Sequence, residues 1–247
     1  MKITLVLVSI LFLSASPAHA DPLSSLVEEA SNITDNLSGV IRTLTDQGIG
    51  AFLNATNSLA QFRSETLDSF LGIISNYTST GFASLENAAK DAAEVGVNVT
   101  EILSDATGKL NNLADQTVQN FGQGVDAIMS DARGALQVDI NKISQMITKL
   151  TGYPVRINKC LISLRPIACL TTFITDARND LSSIPSMLAD MTVNTRNTID
   201  AAVTNLENLT QQMVTDAGSS FDKIIKDANQ AVAAAIQGAT GIVGTGN

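Results

Sequence analysis

Two kinds of residue in this 247-residue sequence are spaced for covalent chemistry: the cysteines Cys160 and Cys169, and six asparagines that head Asn-x-Ser/Thr triplets. The triplets are NIT at Asn32, NLS at Asn36, NAT at Asn54, NYT at Asn76, NVT at Asn98 and NLT at Asn208. Each is an acceptor for N-glycosylation, a modification too bulky to bury. The two cysteines suit a disulfide, the usual state of an even pair in a secreted chain. In one continuous helix they would be separated by about 13.5 Å of rise, against roughly 4.4–6.8 Å between the Cα atoms of a disulfide. An intramolecular bond therefore requires the chain to turn, and Pro166, preceded by Leu164-Arg165, supplies a break. An intermolecular bond and free thiols are the competing states. Redox activity is disfavoured, because the spacing is not C-x-x-C and the basic neighbours are only Arg156, Lys159 and Arg165.

Other chemistry finds few residues to work with. The first twenty residues, MKITLVLVSILFLSASPAHA, read as a secretory leader ending in Ala18-His19-Ala20, with the mature chain beginning at Asp21. Its apolar run is too short to span a bilayer, and no later segment is longer, so no transmembrane segment is expected. Removing it takes away Lys2 and the single histidine; 14 basic residues then face 24 acidic ones, a net charge of −10. Without histidine, Ser-His-Asp and Cys-His catalysis and His-containing zinc sites are excluded. The acidic balance argues against nucleic acid, whose phosphates are neutralised by Lys and Arg. Ser220-Phe-Asp-Lys223 matches a serine–lysine spacing, but Phe221 sits in an apolar stripe and the match reads as a solvated helix face. The glycine-rich tail from Gly238 lacks a phosphate-loop lysine and a preceding strand. Carboxylates such as Glu28, Glu29 and Asp91 lie where a wet helix face puts them. The expectation is a chain with no catalytic residue, no metal and no cofactor.

The elements that position the acceptors follow from their spacing. Asn32, Asn54, Asn76 and Asn98 are 22 residues apart, Asn120 continues the series as NFG, and Asn208 follows Asn98 by 110. Apolar residues keep the same period: Leu26, Leu37, Leu59, Phe70, Ala92, Leu103, Ala114, Val125, Leu136 and Ile147 share one phase, and Ala30, Phe52, Ile74, Val118 and Ile140 a second. Eleven residues in three turns is about 3.67 per turn, near the relaxed helix, so the stripe runs almost straight. At about 98° per residue the apolar phases fill one arc. The Asn32 phase lies opposite, with Glu28, Asp35, Asp46, Asp68, Lys90, Glu94, Glu101 and Asp105, and Asn36 at its edge. Leu113 on the polar side and Asp115 and Asp139 near the apolar side break the pattern, as do Gly48, Gly81 and Gly96 in apolar phases.

With 45% hydrophobic residues, only 4% aromatic and no Trp, the core is built from small aliphatic side chains. The fold class expected is all-α: long amphipathic helices with an 11/22-residue period in an elongated bundle. Glycines near 48–50, the Ser79-Thr80-Gly81 stretch and Gly108 mark the expected interruptions. They give helices near 23–46, 50–77, 84–107 and 109–150, with the last two open to being one. After Gly152 the segment YPVRINKCLISLRPIAC interrupts the pattern, which resumes from Cys169 to Leu181 and, after Pro185, from Ser186 to Gln237. There Met191, Ala202, Met213 and Ile224 repeat at eleven. The organisation read from these breaks is a leader over 1–20, an acceptor-bearing helical region over 21–152, a disulfide-containing helical region over 153–237 and a flexible tail over 238–247. Met129, Met146, Met187, Met191 and Met213 suit either core or an adaptable groove.

The leader, the acidic histidine-free mature chain, the repeated acceptors and the NKCLISLRPIAC segment together resemble the insect secreted helical glycoproteins related to the tsetse EP protein. This chain lacks the Glu-Pro repeats of that protein. The resemblance implies an extracellular, gut-associated or immune-related glycoprotein and carries no catalytic residues. The period is also similar to that of exchangeable apolipoproteins, which implies lipid binding, although those helices are usually punctuated by proline and edged with Lys or Arg, whereas the first 130 mature residues contain only Pro22 and few basic residues. The expected function is therefore a secreted, non-enzymatic glycoprotein acting through interaction or surface protection, with an amphipathic lipid carrier as the alternative. An eleven-residue stripe serves packing within a chain or between copies, so the partners it allows are an unidentified protein, a lipid or a second copy.

Overall fold

A computed structural model describes residues 21–243; the leader read over residues 1–20 and the last four residues of the tail lie outside them. The described chain is all-α, as its periodicity predicts. Helices α1 (Pro22–Thr43), α2 (Gly50–Glu94), α3 (Thr100–Thr151), α4 (Tyr153–Leu161) and α5 (Pro166–Val243) follow in order, and a π-helical turn over Leu44–Ile49 joins α1 to α2. No strand occurs among the described residues.

The chain divides into two compact units, and each is discontinuous. Among the described residues, one comprises 21–43 with 145–185; the other comprises 44–144 with 186–243. This grouping, unlike a chain-order division at residue 152, places the N-terminal helix in the same unit as the disulfide region. The physical reason is that α1 buries Ala30 and Leu37 and lies in contact with α4, far away in sequence. Periodicity shows that a face must be covered, not which helix covers it.

In the larger unit α2 and the bodies of α3 and α5 share one core. Leu59, Phe70, Leu110, Phe121, Val125, Leu206 and Phe221 are buried together, and the Phe70 and Phe121 rings stack with centroids 3.7 Å apart. Each such side chain contributes about 1.5–3 kcal/mol on leaving water. Every member of the two apolar phases read from sequence is buried or half-buried, while Glu28, Asp35, Asp46, Asp68, Lys90, Glu94, Glu101 and Asp105 are all exposed. The exceptions resolve individually. Leu113 packs on the core, Asp115 is exposed, and Asp139 is buried. In the smaller unit Leu150, Tyr153, Ile157, Leu170, Phe173 and Ala177 are buried.

The interruption expected near 48–50 falls at the π-helical turn Leu44–Ile49, after which α2 starts at Gly50, but the other two expected interruptions are absent. α2 runs unbroken through Ser79-Thr80-Gly81, and α3 through Gly108. The break between α2 and α3 is instead Val95–Val99, where Gly96 adopts φ +74°. There the Gly96 N–H donates to the Ala93 carbonyl at 3.0 Å and the Val97 N–H to the Ala92 carbonyl at 2.9 Å. This is a Schellman ending, in which a left-handed residue best supplied by glycine satisfies the last carbonyls of α2. Val97 and Val99 then pack with Ala92 and Val232. Gly81 is not a break but a close approach, with Leu110 Cδ1 only 3.0 Å from where a Cβ would stand. Pro185 does not end α5 either. The lost hydrogen bond is outweighed because residues on both sides, Ile184 and Met191, are buried. α5 also continues to Val243, past the end expected at Gln237.

Candidate functional site: the acceptor face and the disulfide tip

All six acceptor asparagines are exposed. They are not gathered into one cluster: Asn32 and Asn36 lie on α1, Asn54 and Asn76 on α2, Asn98 in the α2–α3 break and Asn208 on α5. Their local geometry differs in a way that periodicity does not reveal. In four of the five helical triplets the hydroxyl is turned back to the backbone. Thr34 donates to the Ala30 carbonyl at 2.8 Å, Thr56 to Phe52 at 2.9 Å, Thr78 to Ile74 at 2.9 Å and Thr210 to Leu206 at 2.7 Å. Asn36 likewise commits its amide nitrogen to the Asn32 carbonyl at 2.8 Å. At Asn98 the hydroxyl and the asparagine meet instead. Thr100 Oγ1 donates to Asn98 Oδ1 at 2.8 Å, and the Thr100 N–H donates to the same oxygen at 3.1 Å. This contact also caps the start of α3 by satisfying one of its free N–H groups.

The cysteines are brought together as a bonded pair with Cα atoms 5.3 Å apart. α4 ends at Leu161, four residues turn, and α5 begins at Pro166, so proline sits at the helical start that tolerates its missing N–H. The Ser163 N–H donates to the Cys160 carbonyl at 3.1 Å and the Cys169 N–H to the Arg165 carbonyl at 3.1 Å. Beneath this tip, polar side chains bind the end of α3 and α4 to α5. Tyr153 is buried, meets the Phe173 ring edge-on at 5.2 Å, and donates its hydroxyl proton to Asp180 Oδ2. Lys149 holds Asp180 Oδ1 at 2.6 Å, and Arg156 pairs with Asp176 while lying 5.6 Å from the Phe173 centroid. Burial, then the hydrogen bond and charge of Asp180, push the Tyr153 hydroxyl well above its ordinary range.

The tip also carries features that sequence reading passes over. Ile162 and Leu164 are 86% and 103% exposed, and Val155, Leu161 and Ile167 are exposed as well. Nor is the chain acidic throughout: residues 140–175 hold five basic residues, Lys142, Lys149, Arg156, Lys159 and Arg165, and no acidic one. The signal was present as a carboxylate-free stretch around the prolines. It is too short and irregular to register as a helical face.

The remaining polar groups are structural in their contacts. Asp139 lies in an open groove of about 560 Å³ between α3 and α5 that Asn194, Asn197, Thr198 and Asn205 also line. Both its oxygens are occupied, by Lys142 Nζ at 2.9 Å and Asn194 Nδ2 at 3.2 Å. The Ser220 hydroxyl donates to the Asp216 carbonyl at 2.8 Å, while Lys223 pairs with Asp227, so the two are not directed at one another. Met129 and Met191 are core residues and Met213 packs on the core. Among the described residues no three His, Cys, Asp or Glu side chains group as a metal site, and no helix is long and apolar enough to cross a membrane. No protein-family model, curated protein or solved structure matches the chain.

Proposed function

We propose that this chain is a secreted, non-enzymatic helical glycoprotein that acts through interaction or surface protection, with its glycans held as a hydrophilic coat on closed helical units. The observation that carries the reading is the opposition of the two faces. All six acceptors are exposed, while the apolar phases of the same helices are buried or half-buried. A stripe already covered by protein has little to gain from opening onto lipid, since the burial it would exchange is of the same kind. This favours a packed glycoprotein over a carrier that unfolds around lipid. The disulfide fits an oxidising compartment, and the resemblance of NKCLISLRPIAC to insect secreted glycoproteins supports the same location.

Expression of the full chain in a secretory eukaryotic host tests the proposal. The protein is expected in the medium, starting at Asp21, with glycans mapped by mass spectrometry to several of the six asparagines. Enzymatic removal of the glycans should leave its helix content unchanged. Retention inside the cell, or secretion without any glycan, would defeat it.

A further inference from the structure

The tip between Cys160 and Cys169 combines three properties found nowhere else among the described residues. First, it projects: Leu164 is 103% exposed and Ile162 86%, so neither rests on its own chain. Second, these side chains do not stand alone. Val155, Leu161 and Ile167 are exposed beside them in sequence, so five of the ten large apolar residues left exposed among the described residues fall within 13 positions. Third, the charge along this stretch of the chain has one sign. From Tyr153 to Leu170 there are three cations, Arg156, Lys159 and Arg165, and no carboxylate. Arg156 is committed to Asp176 on α5, whereas Lys159 and Arg165 are exposed and make no ion pair among the described residues.

We infer that this tip docks on the surface of a bilayer that carries anionic headgroups. The inference rests on the extracellular glycoprotein reading and names one surface through which such a protein would interact. A fully projecting side chain must be surrounded by its partner from every side. Hydrocarbon does this without a shaped cavity, while Lys159 and Arg165 reach the phosphate level on their flexible stems. The two apolar side chains each raise partitioning by about tenfold or more, and each free cation near an anionic surface by about fivefold. The net acidity of the whole chain opposes approach. Its more distant charges are screened beyond about 8–10 Å at ordinary ionic strength, whereas the cations of the tip act at contact. The disulfide keeps the turn in place, and the bundle core stays closed throughout. The mode is therefore distinct from that of a carrier whose helices open onto lipid.

Flotation of the full-length, glycosylated secreted protein tests this, using phosphatidylcholine vesicles with and without phosphatidylserine. The wild type is expected to float with the serine-containing vesicles, less with phosphatidylcholine alone, and with unchanged circular dichroism. The Ile162→Ser/Leu164→Ser variant should lose on the order of a hundredfold in partitioning. Both positions are exposed, so its urea midpoint should match the wild type. Lys159→Glu/Arg165→Glu should lose at least tenfold on serine-containing vesicles and little on phosphatidylcholine. Leu53→Ser/Leu71→Ser, which removes exposed leucines of α2, should change nothing. The inference is overturned if the wild type stays unbound at low salt, or if the tip variants float as well as the wild type. It is also overturned if binding raises helix content, or if the tip proves to be a self-association surface whose dimer the Ile162→Ser/Leu164→Ser change abolishes without any flotation. None of these results bears on the glycan mapping, so failure here and failure of the glycoprotein reading remain distinguishable.

Discussion

Replacing Gly81 and Gly108 with alanine separates what a helical glycine does locally from what it does in packing. Both lie inside long helices, where alanine is better than glycine by about 1 kcal/mol because it restricts the unfolded backbone. At Gly108 an added Cβ meets nothing within 4 Å, so the full gain should appear. Gly108→Ala is expected to stabilise by up to about 1 kcal/mol, or about 2–4 °C in Tm for a chain of this size. At Gly81 the same Cβ would stand 3.0 Å from Leu110 Cδ1 and 3.4 Å from Ile225 Cδ1. Leu110 is completely buried and has little room to yield. Overpacking a filled core costs about 1–3 kcal/mol, which outweighs the propensity gain, so Gly81→Ala should be neutral to about 2 kcal/mol destabilising. Urea titrations followed by circular dichroism compare the two directly. A double-mutant cycle with Leu110→Val, which removes both Cδ atoms, should show the two changes costing less together than their sum. Equal stabilisation by Gly81→Ala and Gly108→Ala, or strict additivity in the cycle, would refute the close-packing account of Gly81.

Three further outcomes are expected. Replacing both Cys160 and Cys169 with serine frees a loop of nine residues' separation, which in the chain-entropy account lowers stability by about 2–3 kcal/mol; urea unfolding of a Tyr77→Phe background, which leaves Tyr153 as the only tyrosine, reports it. The Tyr153 hydroxyl is raised in the folded state, so its contribution to stability is fully present below about pH 10, the ordinary tyrosine value, and is lost as the pH climbs through the folded value. Absorbance titration of that background should show no tyrosinate until the region around Tyr153 unfolds, and Tyr153→Phe should lower the neutral-pH stability by about 1.5–3 kcal/mol by removing a hydrogen bond to a carboxylate. Asn98→Ala should cost about 1 kcal/mol as a lost cap, whereas Asn98→Asp should keep the cap and still abolish any glycan there; equal urea midpoints for the two variants would show that the contact with Thr100 does not hold the start of α3.

Helical class, the polar face and the apolar face were legible in the residues themselves. An apolar residue returning every eleven positions must occupy one side of a helix, and Asn32, Asn54, Asn76 and Asn98, half a turn away, must stay wet. The turn between Cys160 and Cys169 was legible for a similar reason, since covalent geometry forbids their bond along a straight helix. Glycine and proline were harder to read, because their local cost is small enough for tertiary burial to override. Gly81 and Pro185 lie inside helices, while Gly96, in an apolar phase, ends one with a left-handed turn. Which surfaces meet was decided only by the folded chain. Periodicity is a property of each helix alone, so the placement of α1 with α4, the burial of Asp139 between Lys142 and Asn194, and the exposure of Ile162 and Leu164 follow from long-range packing that a single sequence does not express.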